Sequence, residues 1–151
     1  MLLKLDTWLI KNLYQRLVNI TQKPKTWWIE QCSFFFFIAA VLRQFLKPDQ
    51  LTAGDYFIFL LDIAVCTLFF SFSRSDEMLA GAAQSDWFRQ FTMILAIIAI
   101  FSALNRYYDG NDLVLCLVGV YHNLMFMSVY YFAACKPPPP PHRKTKLAFN
   151  L

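Results

Sequence analysis

The chain has 151 residues, of which 58% are hydrophobic, 18% aromatic and only 16% charged, with a mean hydropathy of +0.40. A soluble domain has about a quarter of its residues charged, so this composition excludes an ordinary soluble fold and indicates a polytopic membrane protein. The net charge of +4 is concentrated in the N-terminal segment and the C-terminal tail. Positive charge beside apolar segments typically sets the orientation of a protein in the membrane. Because no recognition motif accompanies it, this charge does not indicate nucleic-acid binding.

The first 20 residues have the pattern of an amphipathic helix. Its apolar positions recur at helical spacing, and they are Leu2, Leu5, Leu9, Leu13, Leu17 and Ile20. Asp6 and the cations Lys4, Lys11 and Arg16 lie largely on the opposite face. We predict an interfacial helix over 1–20, with Trp8 on the apolar side and the cations toward anionic lipid. The alternative is a helix packed on its own bundle or on a partner subunit.

Residues 21–28 form a basic and aromatic connector. Pro24 ends the first helix, because proline cannot continue a helical hydrogen-bond ladder. Trp27 and Trp28 follow directly, and paired tryptophans are typical of the membrane–water interface just before a span. The connector therefore predicts the entry point of the chain into the membrane.

Four apolar segments then predict an all-α fold, a transmembrane bundle of four helices over residues 29–135. The predicted spans are about 29–46, 56–72, 87–104 and 113–135. The fourth has 23 residues and no charge; as a helix it would be about 34 Å long, against about 30 Å of hydrocarbon. The first has a short apolar centre, so a tilted or half-buried helix is its alternative. Asp55 is the predicted N-cap of the second span.

Lysines and arginines predict the orientation of the bundle. Eleven of the 14 would lie on one side of the membrane if both termini are cytoplasmic, and three on the other. The three are Arg43, Lys47 and Arg106. This asymmetry predicts that both termini are cytoplasmic, with the bacterial inner membrane as the expected location.

Two polar residues stand out inside the apolar segments. Asp62 lies within the second span and His122 near the middle of the fourth, and they would meet if those helices are neighbours. Arg43 is close enough to reach Asp62 from the first span, and Asn123 follows His122. Because a charge near mid-bilayer costs about 2.5–3.5 kcal/mol, an unpaired Asp62 is disfavoured. The pair is either a proton or ion relay, or a hydrogen bond that fixes helix packing; packing is favoured.

Residues 136–151 predict a proline-rich, basic cytoplasmic tail. It contains the run Pro137, Pro138, Pro139, Pro140 and Pro141, followed by Arg143, Lys144 and Lys146. Five prolines adopt polyproline II, which either docks into an aromatic groove of a partner or acts as a stiff spacer. Four cysteines lie in or beside apolar runs without metal or haem spacing, which predicts packing roles and neither a metal site nor a cofactor.

These features predict a small non-enzymatic membrane protein that acts through protein–protein contacts. It would be an accessory subunit of a membrane complex, or an immunity or exclusion factor of the kind that phages and mobile elements encode. No nucleophile elbow, metal spacing or phosphate loop points to an enzyme. The first alternative is an oligomeric, holin-like pore that turns Asp62, His122 and Asn123 toward water. The second is a small proton or ion transporter built on Asp62 and His122. The expected partners are the bilayer and another membrane protein or a second copy of the chain.

Overall fold

A computed structural model describes residues 2–46, 52–110 and 112–139. This part of the chain is helical and contains no strand, which confirms the predicted all-α class. The N-terminal segment consists of α1 (Leu2–Leu9), a π-helical turn (Ile10–Tyr14) and α2 (Gln15–Thr21). The remaining helices are α3 (Lys25–Phe45), α4 (Ala53–Arg74), α5 (Asp76–Gln84), α6 (Asp86–Tyr108) and α7 (Leu113–Ala133).

Among the described residues, three helices are long and apolar enough to cross a membrane, namely α4, α6 and α7. They correspond to the second, third and fourth predicted spans. The first predicted span is not among the three. Its helix, α3, begins already at Lys25, and polar residues flank a short apolar centre, with Gln31 before it and Arg43 after it. Trp27 and Trp28 consequently lie in the first turn of α3 instead of in a connector.

Local capping explains where two of the spans begin. The Thr52 hydroxyl accepts a hydrogen bond from the backbone N–H of Asp55 at 3.3 Å, and the Asp55 carboxylate accepts one from the Thr52 N–H at 2.8 Å. This reciprocal capping box makes Thr52 the N-cap, whereas the sequence predicted Asp55. Asp112 caps α7 by accepting from the N–H of Val114 at 2.8 Å.

The helices pack in the order α4, α3, α7, α6, so α3 and α7 form the centre. Consecutive long helices are antiparallel. We call the end that holds the turns α3–α4 and α6–α7 the distal end, and the opposite end, where the N-terminal segment meets the end of α7, the proximal end. The short helix α5 lies at the proximal end between α4 and α7.

The main core lies toward the proximal end. The last two turns of α7, residues 127–133, are buried on every side, and Tyr131 is fully enclosed. A helix at the edge of a bundle would leave one face open, so something must cover this one. The N-terminal segment does so, because α1 packs on α6 and the π-helical turn packs on α7. Tyr14 stacks on Tyr131, with ring centroids 4.9 Å apart.

The N-terminal segment turns an unexpected face toward the bundle. Its buried side chains are Asp6, Tyr14 and Val18. In an ideal α-helix, eight residues advance about 80° beyond two full turns, so Asp6 and Tyr14 would not share a face. The wider π-helical turn between them absorbs much of this offset. The segment is thus packed on its own bundle. Of the predicted apolar face, Leu9 and Leu17 pack against the core, while Leu5, Leu13 and Ile20 stay exposed.

Asp6 is buried because it pairs with Arg89 of α6. Their side chains are 4% and 5% exposed, and Arg89 Nη2 lies 3.5 Å from Asp6 Oδ2. Arg89 also forms an ion pair with Asp86, one turn earlier in α6. The sequence pattern placed Asp6 largely opposite the apolar positions and did not predict its burial. Asp6 is buried because a buried guanidinium costs several kcal/mol unless a carboxylate accompanies it.

We therefore predict that Asp6→Asn loosens the N-terminal segment. Losing one charge of a buried pair should lower its local stability by about 1–3 kcal/mol, since Arg89 keeps Asp86 as a second partner. Amide hydrogen exchange of residues 2–21 in detergent micelles measures this loss. The control is Lys4→Gln, an exposed charge on the same helix, which should change stability by less than about 0.5 kcal/mol. Equal exchange rates in wild type and Asp6→Asn would contradict the assignment.

Candidate functional site

The structure brings Asp62 and His122 together. His122 Nε2 lies 3.4 Å from Asp62 Oδ1, and the two side chains are 14% and 11% exposed. Both are the tenth residue of their helices, α4 and α7, so both lie about 14 Å from a distal helix end. The predicted span began at residue 56, and α4 begins three residues earlier, at Ala53, so Asp62 lies deeper from the helix end than the predicted bounds would place it.

The contact passes alongside α3, which separates α4 from α7 over most of their length. Phe36 of α3 stacks on the His122 ring, with centroids 4.1 Å apart and planes at 25°. The Sγ atom of Cys66 donates to the carbonyl oxygen of Ser33 at 3.5 Å, which holds α4 close to α3. Packing therefore fixes the positions of both members of the pair.

The pair is a close contact between two ionisable groups. The 3.4 Å separation is within ion-pair range, yet Nε2 makes no hydrogen bond to any described part of the chain. The carboxylate and imidazole can share or exchange a proton, which is the chemistry of a relay. They can equally satisfy each other in a medium without water, which is a packing role.

A second cluster joins the N-terminal segment to the proximal end of α7. The Ser128 hydroxyl donates to the carbonyl oxygen of Leu124, so Tyr14 must be the donor in its 3.0 Å bond with Ser128. Burial raises the pKa of Tyr14 to about 12. The phenol therefore stays protonated at physiological pH and keeps this hydrogen bond.

The start of the C-terminal tail is held at the same place. The side-chain amide of Gln15 forms two hydrogen bonds with the backbone of Lys136, accepting from its N–H at 2.8 Å and donating to its carbonyl oxygen at 3.2 Å. Lys25 Nζ donates to the carbonyl oxygen of Ala133 at 3.1 Å, where α7 ends. A cation at a helix C-terminus is stabilising. The chain is therefore ordered into the proline run.

The predicted tail is described only in part. Pro137 and Pro139 are exposed and Pro138 is partly buried. The other residues predicted for partner binding lie outside the described residues, and they are Pro140, Pro141, Arg143, Lys144 and Lys146. In the basic connector, Lys23 is exposed and its Nζ lies 5.6 Å from the centroid of the Trp27 ring. Trp28, in contrast, stacks on Phe132 of α7 at 4.9 Å.

Residues predicted to face the membrane interface are on the outer side of the N-terminal segment. Trp8 is 56% exposed, and Lys4, Lys11 and Arg16 are exposed as well. A groove of about 430 Å³ runs between Lys4, Trp8 and Lys11. The outward side of this segment therefore combines aromatic, aliphatic and cationic groups.

Arg43 and Asn123 are in a different place from Asp62. Both line a cleft of about 300 Å³ at the distal end, bounded by α3, α6 and α7, together with Ser102, Arg106 and Gly119. The Asn123 side chain donates to the carbonyl oxygen of Gly119 at 2.9 Å. The sequence suggested that Arg43 could reach Asp62. In the structure Asp62 pairs with His122, and Arg43 lines the distal cleft.

The four cysteines are buried thiols. Cys135 lies just beyond α7, where burial raises its pKa to about 12. A thiol that stays protonated and covered is a poor nucleophile. In the described part of the chain, no three His, Cys, Asp or Glu side chains are grouped as metal ligands would be.

We predict that the Asp62–His122 pair is energetically coupled. His122→Leu should lower the free energy of unfolding in detergent by about 1–3 kcal/mol, because it leaves the buried Asp62 without its partner. In the double variant Asp62→Leu/His122→Leu the two losses should be less than additive, by about 0.6–2 kcal/mol. Thr67→Leu, an exposed site on α4, is the matched control. Strictly additive losses would show that the two residues do not interact.

Comparison with known proteins identifies no relative. No protein-family model matches the chain, and neither a curated protein nor a solved structure is significantly similar to it. Over the described residues the fold is all-helical, and three of its helices are apolar enough to cross a membrane, which is consistent with an integral membrane protein. Its function has to be argued from the geometry.

Proposed function

We propose that the chain is a four-span protein of the bacterial inner membrane with both termini cytoplasmic. The fourth span would be α3, whose 21 residues make about 31 Å of helix. It packs between two of the candidate spans, α4 and α7, and runs antiparallel to both. Its position between two candidate spans of similar length supports a crossing by α3 as well. The excess of lysine and arginine on the proximal side supports the orientation.

Within this architecture, the protein acts through contacts with another membrane protein, as an accessory subunit or as an immunity or exclusion factor. One observation carries the proposal: the N-terminal segment packs Asp6, Tyr14 and Val18 inward and leaves several large apolar residues exposed on its outward side. The outward residues are Leu3, Leu5, Trp8, Leu13 and Ile20, each more than 40% exposed. We call these five residues the outer face.

The outer face is held rigidly. Ion pairing at Asp6, the Tyr14–Ser128 hydrogen bond and the Gln15–Lys136 pair fix the segment at three points along its length. Rigid presentation lowers the entropy cost of binding. Trp8 lies beside Leu3, Lys4 and Lys11, and tryptophan is among the residues that most often dominate protein–protein binding energy.

Site-specific photo-cross-linking in intact cells tests this proposal. A photoreactive amino acid would replace Trp8 or Leu13 on the outer face, and the control would replace Phe57, which is 68% exposed on α4. We expect one protein adduct of the same mass from Trp8 and Leu13, and none from Phe57. The adduct should disappear when Leu5→Asp is added, because a charge in an apolar contact is costly. Lipid adducts alone from all three positions would contradict the proposal.

A second candidate function is a proton relay, and the 3.4 Å contact between Asp62 and His122 favours it. A holin-like pore has less support. It needs a polar stripe facing an assembly axis, yet the exposed surface of α4 around Asp62 is apolar, as at Leu60, Leu61 and Ile63. His122 is stacked on Phe36, away from that surface.

Proton flux into proteoliposomes tests the relay. The purified protein would be reconstituted around a pH-sensitive dye, and acidification would be followed under a membrane potential. If the relay operates, wild type and Thr67→Val conduct protons, while Asp62→Asn and His122→Ala do not. Thr67→Val is the control because it removes an exposed polar group from the same helix. A wild-type rate equal to that of protein-free vesicles would exclude the relay.

A further inference from the structure

Two lysines lie on the same side of the N-terminal segment as Trp8. They line a groove that we call the lysine groove, and its lining residues are Leu3, Lys4, Thr7, Trp8, Lys11 and Asn12. Lys4, Trp8 and Lys11 have the spacing i, i+4, i+7, which places them in one stripe along a helix. The two lysines are therefore about 10 Å apart along the segment, with the indole ring between them.

The polar groups that remain available in the lysine groove are hydrogen-bond donors. The Thr7 hydroxyl and the Asn12 amide each donate to a backbone carbonyl oxygen one turn earlier, at 2.8 and 3.1 Å. Lys4 and Lys11 form no ion pair with a residue in the described part of the chain, and none of the lining residues is acidic. Ammonium and indole groups donate hydrogen bonds and do not accept them. A surface that complements the groove must supply acceptors, and carboxylates supply them together with the opposite charge.

The position of the lysines favours a protein surface over a lipid surface. A helix that lies in the headgroup layer keeps its cations on the face opposite its apolar residues. Here Lys4 and Lys11 share one groove with Leu3 and Trp8. Cations beside an apolar stripe are typical of paired helices, in which the charged residues along the seam set the choice of partner.

We propose that the lysine groove binds an acidic amphipathic helix of the partner protein. This helix places two carboxylates, seven residues apart, on Lys4 and Lys11, and an apolar side chain between them on Trp8. Seven residues make about two turns, so one face of the partner helix carries all three groups. The inference rests on the proposed function, because it names the chemistry of the partner that the outer face contacts. Complementary charge fixes the register of such a contact and excludes partners without the carboxylates.

Charge reversal combined with photo-cross-linking in intact cells tests the chemistry of the partner. The photoreactive amino acid would replace Leu13, which is on the outer face but outside the lysine groove, so the groove stays intact. Lys4→Glu/Lys11→Glu should lower the yield of the protein adduct about tenfold or more, because two attractions become repulsions. Arg16→Glu is the matched control. It reverses an exposed cation of the same segment outside the groove and should leave the yield unchanged.

Mass spectrometry of the adduct then locates the cross-linked segment of the partner. We expect two Asp or Glu residues seven positions apart in this segment, and changing both to lysine should restore the adduct with Lys4→Glu/Lys11→Glu. Failure of this rescue, or an adduct that the double reversal does not weaken, would overturn the acidic helix while the protein contact of the outer face stands. An equal loss with Arg16→Glu would also overturn it, because general attraction to an anionic surface would then explain the effect.

The absence of any protein adduct from Leu13 in the wild-type background would overturn the proposed function and this inference together. Immunoblotting of the membrane fraction checks that each variant is present at the wild-type level. Both lysines are exposed, so their replacement leaves the buried contacts of the N-terminal segment in place.

Discussion

The need to pair a buried charge controls the proximal half of the molecule. Arg89 lies in a helix apolar enough to span a membrane, and burial of an unpaired guanidinium would cost several kcal/mol. Asp86, one turn away, is exposed, so a second carboxylate has to come from elsewhere in the chain. Asp6 provides it and so holds the first helix of the N-terminal segment against α6. Tyr14 and Val18 are buried further along the same segment, whereas Leu5 and Trp8 stay exposed.

Asp62 is also a buried ionisable group with a partner, at a different depth in the bundle. Its partner, His122, comes from a helix that barely touches α4, and Phe36 of the intervening α3 stacks on the imidazole. The aromatic ring restricts the imidazole to a position facing the carboxylate. Burial of the pair and its contact with α3 make a packing role sufficient to explain both residues. A relay would additionally need a route for protons to each member.

Sequence periodicity was enough to predict the all-α class and three of the long helices, because apolar runs of 20 residues have few other structures available. The contact between Asp62 and His122 could be predicted only on the condition that their two helices are neighbours, and the sequence does not say which helices are. The face of the N-terminal segment could not be predicted. Hydrophobic spacing assumes a regular α-helix, and the π-helical turn at Ile10–Tyr14 changes which residues share a face. The pairing of Asp6 with Arg89 joins residues 83 positions apart, which no local pattern reports.

The two ends of the bundle differ for one reason. At the proximal end, the gap around α7 is filled from within the chain. Tyr14 packs there, and the side chains of Gln15 and Lys25 form hydrogen bonds with the backbone at and just beyond the end of α7. At the distal end, several of the residues that line the gap between α6 and α7 are small, among them Ala99, Ser102 and Gly119. A protein in water would close such a gap, because exposed apolar surface is unfavourable there. In a bilayer, lipid can fill it at little cost, so close helix packing is required only where polar groups have to be paired.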